Sequence, residues 1–497
     1  MRRYTRRVPP RIELLLANRA YSDHSTPLSG GAAPAVAAGG LVAAVHSLIE
    51  PWDGSRGTTW IAAGRGAYDH EWTDPDGFEI LDTTNGPLHQ RRLYFDDDAW
   101  EGHYTEVSNA FLWPLMHIVR ERLPEATGYF PAPAAPSEHA WARYRAVNMA
   151  FADAAMAAEP TAQTCWVHDY QLALVPGMLR ERGYSGRVGF FLHTPFPDLQ
   201  VASTYLRGDA GKRFSEWIRG ILAADLAGFQ TEADTLRFAA AAVALGLVDE
   251  RDGALWDGAR RVTTGTFPVS IDTDEMETVA QRAQLPVRFA EGRDANLPLV
   301  VGLERSDYTK GIPERLGAVA AAYRAGAHFA YIGVAAPTRG GVGAYKRLDQ
   351  VIVSAASDAE AAANAIEASF MQLREAIAWD QVVALQREAD VVFTSSLADG
   401  MNLVPLQAAI AQSRRPPNER AVIIVGRDAG VATVYAGFER DGLVVVDPLD
   451  AEAMEHTLVD ALEGRPGRIS DRLIGAIKNH DAHTWATAFL SRLEGAC

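Results

Sequence analysis

The chain has 497 residues, 48% hydrophobic and 22% charged, with 47 Lys+Arg against 63 Asp+Glu for a formal charge of −16. That acidic balance argues against a nucleic-acid-binding surface, which would show a basic stripe, and the composition is that of a globular chain with ample core. Cys165 and Cys497, the two cysteines, supply neither a disulfide framework nor a four-thiolate zinc site, and no apolar run approaches the roughly 20 residues of a membrane span.

The start, MRRYTRRVPPR, is basic, but the apolar stretch after it, 12–17, is too short for a signal peptide, so a cytoplasmic location is expected. Apolar runs then predict strands over 12–17, 59–62, 165–168, 188–193, 226–230 and 261–269, with helices over 40–49, 139–158, 172–182 and 233–245. The alternation restarts with strands over 297–303, 329–334, 391–394, 422–425 and 443–446. Helices are expected there over 312–325, 344–370, 403–411 and 451–462. Nearly continuous apolar strands separated by helices imply α/β architecture, with parallel sheets covered on both faces. The segment TGTFPVSIDTDEM marks a break, giving expected domains 1–272 and 273–480, with 481–497 a closing helix that returns to the first. Two doubly wound domains would bind a ligand in the cleft between them, at the carboxyl ends of their strands.

Chemistry is therefore sought at strand ends. In LVVGLERSDYTKGIPERL an apolar strand runs into Arg305, then a loop with Lys310, then a helix opened by Gly311 and Pro313. Two cations and a helix N-terminus aimed at one spot suit a phosphate or diphosphate. Lys310 is one of only four lysines, against 43 arginines, and a lysine is a compact charge apt for a leaving-group oxygen. In VVFTSSLADGMNLVPLQ, Asp399 precedes a tight turn through Gly400, after which the amides of Met401, Asn402 and Leu403 are free donors at a helix start; Asp399 could accept sugar hydroxyls. His168-Asp169 and His193 fall at successive strand ends. Asn18-Arg19 closes the first strand, and Gly39-Gly40 opens a helix without the full G-x-G-x-x-G dinucleotide pattern. Tyr104 and Trp113 could stack on a sugar, and Arg339 could clamp a phosphate. No His-x-x-x-His or Glu-x-x-His spacing supports a metal centre.

In their order, the segments AGGL, SNAFLWP, HDYQL, GFFLHTPFP, GFQTEAD, ERSDYTKGIPERL, APTRGGVGAY and DGMNLV resemble the trehalose-6-phosphate synthase family of retaining glycosyltransferases, glycosyltransferase family 20. The resemblance runs from Asn18-Arg19 to HTWATAFL near the end. It implies a GT-B fold of two Rossmann-like domains and transfer of glucose from a nucleotide-glucose to glucose 6-phosphate, with no phosphatase domain following. It implies Arg305 and Lys310 on the donor diphosphate, Asp399 with Met401, Asn402 and Leu403 on the donor glucose, and His193 at the reaction centre. Gly39 and Gly40 would line the donor phosphates and Gln407 the ribose. Arg19, Tyr104 and Arg339 would take the acceptor phosphate; Trp113 and Asp169 would place the acceptor sugar. The chemistry implied is front-face displacement with no metal or other cofactor, small-molecule partners, and a homo-oligomer.

Four residues depart from the family pattern: Ala63 where a second aromatic follows Trp60, Ala398 for an arginine, Gln407 for a glutamate, and Gly426 for a serine. Most lie on the donor side, leaving UDP, GDP or ADP open. The alternative function is a relative using another phosphorylated acceptor, such as a glycerol phosphate or an aminocyclitol phosphate. A non-catalytic sugar-phosphate sensor would have lost Arg305 or Lys310, and a nicotinamide-dependent oxidoreductase would show the dinucleotide fingerprint. Neither sign is present.

Overall fold

The computed structural model describes residues 11–30, 35–36, 40–45, 48–120, 123–159, 161–252, 254–290, 296–339 and 343–495. The chain divides into two compact units, one built from Met1–Met116, Ala132–Val269 and Ala482–Cys497, the other from His117–Pro131 and Ser270–Asp481.

The strands of the first unit are β1 (Leu14–Arg19), β2 (Ser22–Asp23), β3 (Ala35–Val36), β4 (Thr59–Ala63), β5 (Phe78–Thr83), β6 (Gly86–Leu93), β7 (Thr164–His168), β8 (Arg187–Phe191), β9 (Leu226–Phe229), β10 (Asp249–Arg251), β11 (Ala254–Asp257) and β12 (Arg260–Thr266). β2 and β3 form a small antiparallel pair; the others make one sheet in the order β10-β11-β12-β9-β8-β7-β1-β4-β6-β5. From β12 to β6 every neighbouring pair is parallel, and antiparallel strands finish both edges. The central strands are apolar and buried because helices cover both faces. One such cover is the last helix, Ala482–Glu494, whose Phe489 stacks on Trp166 at 4.7 Å. Another is the long helix Glu138–Ala158, started by Ser137, whose hydroxyl accepts from the Ala140 amide at 3.0 Å. The sheet order reverses at β1, since the chain runs outward through β4 and β6 and then returns to β1's other side with β7.

The second unit contains β13 (Leu299–Arg305), β14 (Ala330–Ala336), β15 (Phe370–Leu373), β16 (Val391–Phe393), β17 (Val422–Gly426) and β18 (Leu443–Val446). They are all parallel, in the order β15-β14-β13-β16-β17-β18. Counted from its own first strand this is the 3-2-1-4-5-6 order of a dinucleotide-type sheet, with its crevice where β13 and β16 meet.

The strands expected from apolar runs are present, displaced by a few residues at most at their ends. The hairpin β5–β6 and the helices Asp209–Leu222 and Trp379–Glu388 add to them. The helix expected over 344–370 instead ends at Asn364; Glu367, at φ 57°, turns the chain, and Phe370 starts edge strand β15. The architecture is α/β, with one largely or wholly parallel sheet in each unit.

Candidate active site

In the second unit the crevice is lined by the loops after β13 and β16. β13 ends in Arg305; Asp307 Oδ1 then accepts from the Thr309 amide at 3.2 Å and starts the single turn Tyr308–Lys310. Gly311, at φ 59°, makes the left-handed corner from which helix Ile312–Arg324 departs, and a side chain there would run into the Ser395 carbonyl. Ser395 Oγ donates to the Gly311 carbonyl at 2.8 Å, and the Leu397 amide to the Thr309 carbonyl at 2.7 Å, so the two loops are fastened together. Across this joint Lys310 Nζ pairs with Asp399 Oδ2, and the two side chains are 13% and 17% exposed. Arg305, partly buried, ends the strand beside them.

Beneath the pair lies a buried polar chain. Arg315 donates to Glu304 Oε2, Asn402 Nδ2 donates to Glu304 Oε1 at 3.3 Å and to Ser396 Oγ at 3.1 Å, and Ser396 Oγ reaches Asp399 Oδ2 at 3.2 Å. The Asn402 side-chain oxygen, Oδ1, accepts from the Val404 amide at 3.2 Å at the start of helix Val404–Ala411. The Asn402 backbone is left-handed, at φ 65°. Met401 and Asn402 are both buried just before the helix.

Arg339 sits beyond β14, also with positive φ, and its guanidinium bonds Asp307 Oδ2 and the Tyr345 hydroxyl. Burial alone would raise the Asp307 carboxyl; Arg339 first, then Arg305, the Thr309 amide and His117, outweigh it and hold the pKa at about 2. Asp307 thus links two of the cations singled out in the sequence. Sequence reading missed Glu304, Asp307, Arg315, Ser396 and Tyr345 as parts of the site.

In the first unit the candidates gather where the sheet order reverses. β1 carries a bulge between Leu16 and Arg19, and Arg19 registers with Ala63 of β4. Next to it, Asn18 Oδ1 accepts from His103 Nε2 at 2.9 Å. His103 and Tyr104 belong to a π-helix, Glu101–Leu112, which Trp113 follows; such wide turns are rare and recur at functional sites. Tyr104 stacks on Trp100 at 4.9 Å, and the Arg65 guanidinium lies over the other ring, 4.6 Å from the Trp100 centroid. Trp113 is buried against Tyr170, with centroids 5.7 Å apart.

Asp169, just past β7, has φ 73°, and its Oδ1 accepts from the His193 amide at 3.3 Å. His193 Nε2 lies 3.0 Å from His168 Nδ1, and burial pushes the His193 pKa down to about 3. Of five described non-glycine residues with left-handed backbone, Asp169, Arg339 and Asn402 are all candidates, and strain of this kind concentrates at functional sites. Gly40 begins helix Gly40–Val45; Gly39 and Cys497 lie outside the described residues. Among the described residues no His, Cys, Asp or Glu group of three or more could hold a metal ion, and no helix is long and apolar enough to cross a membrane.

The sequence profile of Glycosyltransferase family 20 matches residues 38–495. The chain belongs to that family. It is 29% identical over 422 residues to the UDP-forming α,α-trehalose-phosphate synthase of Yarrowia lipolytica, covering 81% of this chain and 84% of the relative. A solved trehalose-6-phosphate synthase, OtsA, superposes with a TM-score of 0.78 at 25% identity over 97% of this chain and 99% of its own. The E. coli protein solved with UDP-2-fluoro glucose bound gives 0.77 at 25% identity, over 97% of this chain and 98% of that one.

The family departures now have places. Ala63 is buried at the register position of Arg19. Ala398 is buried in the loop after β16. Gln407, on helix Val404–Ala411, takes a long 3.5 Å hydrogen bond on Oε1 from Gln386. A side chain at Gly426 would collide with the Ser396 carbonyl, so the end of β17 and the loop after β16 approach too closely here for a serine.

Proposed function

We propose that this glycosyltransferase moves glucose from UDP-glucose to glucose 6-phosphate, forming α,α-trehalose 6-phosphate with retention at the anomeric carbon. One observation carries the reading: in a family 20 chain, Lys310 and Asp399 pair across the β13–β16 crevice, with Arg305 at the strand end. A nucleotide sugar offers a diphosphate to the cations and hydroxyls to the carboxylate. The relatives above are named for the UDP-forming reaction, which supports UDP over GDP or ADP.

In this reading Arg305 and Lys310 hold the diphosphate, Asp399 and the Met401–Asn402–Leu403 backbone hold the donor glucose, Gly39 and Gly40 line the phosphates, and Gln407 meets the ribose. Arg19, Tyr104 and Arg339 take the acceptor phosphate; Trp113 and Asp169 place its sugar, and His193 stands at the donor glucose. The anomeric carbon–diphosphate bond breaks as the acceptor hydroxyl oxygen bonds the same face, and the hydroxyl proton passes to the departing phosphate oxygen. Such a step needs fixed positive charge where the leaving group develops negative charge, which two cations provide without a metal ion. The reading includes an assembly of identical chains, measurable by light scattering.

The test is a matrix of UDP-, GDP- and ADP-glucose against glucose 6-phosphate, a glycerol phosphate and an aminocyclitol phosphate. Trehalose 6-phosphate from UDP-glucose is expected; product only with another acceptor overturns the reading.

A further inference from the structure

His168 closes β7 and His193 lies just beyond β8, with ring centroids 5.3 Å apart and His168 Nδ1 3.0 Å from His193 Nε2. Burial depresses both pKa values, that of His168 well below the ordinary range with His193 adding to the shift, so both rings are neutral near pH 7. A neutral imidazole carries one N–H, so one proton lies between the two facing nitrogens, and either ring could own it.

The far side of His168 decides. Its Nε2 is buried with no hydrogen-bond partner among the described residues. The side chain two residues earlier, Trp166, has its centroid 4.6 Å away, and its indole N–H, a donor only, is likewise without a partner. Among the described residues, then, an unused donor lies beside Nε2 and no acceptor is bonded to it. A proton on His168 Nε2 would be a buried, unanswered N–H, the costlier kind of orphan; a lone pair there costs less. The proton therefore sits on Nδ1 and is given to His193. The His193 backbone is held on both sides, its amide by Asp169 and its carbonyl by Gln230 Nε2 at 3.3 Å, and the nearby Trp485 indole N–H is spent on the Phe267 carbonyl.

We infer that His168 is a positioning residue that donates its Nδ1–H to His193 Nε2 and so holds His193 as the Nδ1–H tautomer. The nitrogen His193 has left for a ligand is then a hydrogen-bond donor, suited to a sugar hydroxyl or a phosphoryl oxygen, and not a base. This last consequence rests on the reaction proposed above; the tautomer does not.

The test is two-bond proton–nitrogen correlation NMR on 15N-histidine-labelled protein without substrates, with His193 identified from a His193→Gln sample. A protonated Nδ1 and bare Nε2 at His193 is expected; a protonated Nε2 overturns the inference. His168→Phe should return His193 to the Nε2–H form. His168→Asn, whose amide nitrogen can occupy the Nδ1 place, should keep the Nδ1–H form, and its failure to do so in a variant with wild-type melting behaviour also overturns the inference. In turnover of UDP-glucose with glucose 6-phosphate, His168→Phe should lower kcat at least tenfold with little change in acceptor KM, and His168→Asn should recover most of it. The expected tautomer with unchanged kcat in both variants would support the inference while refuting the reaction-centre role of His193.

Discussion

Lys310 and Asp399 are each other's counter-charge: the ammonium of one meets Oδ2 of the other where β13 and β16 part. Each is also a proposed donor ligand, so the unit that holds the sugar and the unit of charge that holds its leaving group are one pair. Lys310→Ala is expected to lower turnover by about 10²–10³-fold, the usual loss when one transition-state donor is removed. Lys310→Arg should recover little of it, because a forked guanidinium does not reproduce a point charge. Because the two residues act together, Lys310→Ala with Asp399→Ala should cost less than the two single losses added. Single-turnover rates and thermal melts of the four proteins check this; near-normal turnover in Lys310→Ala would sink the leaving-group role.

Asp307 gives a stability prediction with a definite sign. Its folded pKa, about 2, lies below the ordinary carboxyl value of 3.8. The folded state therefore binds its proton less readily than the unfolded chain, and the stabilisation is full above pH 3.8 and lost as pH falls through 2. At pH 7 Asp307→Asn should cost about 2 kcal/mol, and the difference from wild type should shrink in acid. Because Arg339 then loses its carboxylate partner, KM for the phosphorylated acceptor should rise more than KM for the donor. Urea unfolding at pH 7, 5 and 3 measures the first claim and initial rates the second.

Much of the scaffold is legible in the sequence because burial on both faces makes parallel strands read as apolar runs. The hairpin β5–β6 is not, because edge strand β5 alternates buried and exposed residues and looks unremarkable, although Asn85-Gly86 at its turn was a usable sign. Cations at strand ends were visible for the same reason the strands were. The polar chain beneath them was not: Glu304 meets Asn402 98 positions later, and no local pattern encodes such a contact. The π-helix escaped because its turn has no familiar hydrophobic period, and the His168–His193 bond because it joins two neighbouring parallel strands.

Ala63 makes a prediction about acceptor choice. It faces Arg19 in register, and two residues on Arg65 lies against Trp100, itself stacked on Tyr104. An indole at 63 would have to be packed in at a buried strand position in register with Arg19. Ala63→Trp is expected to shift kcat/KM toward glucose 6-phosphate relative to larger phosphorylated acceptors. Overpacking a buried site should cost roughly 1–3 kcal/mol of stability. Arg65→Ala should raise acceptor KM severalfold and leave donor KM alone. Competition assays with paired acceptors decide it, and an unaltered preference in Ala63→Trp would remove this residue from the specificity argument.

Acid should unfold the first unit through its histidines. Burial lowers the pKa values of His103 and His193 to about 3 and that of His168 well below 6.5. All three are neutral in the folded chain while their unfolded counterparts protonate near pH 6.5. The unfolded state therefore binds more protons below that pH, and stability falls as pH drops, by up to about 1.4 kcal/mol per pH unit for each histidine. Urea midpoints should be level from pH 7 to 9 and decline steadily below about 6.5, well before carboxylates titrate. His103→Gln, which can still donate to Asn18, should remove one contribution and flatten the decline, His89, also lowered by burial, adding to those that remain. A decline that begins only near pH 4 would mean that these rings keep ordinary affinities for protons. That result would also remove the support which neutral rings give to the single shared proton between His168 and His193.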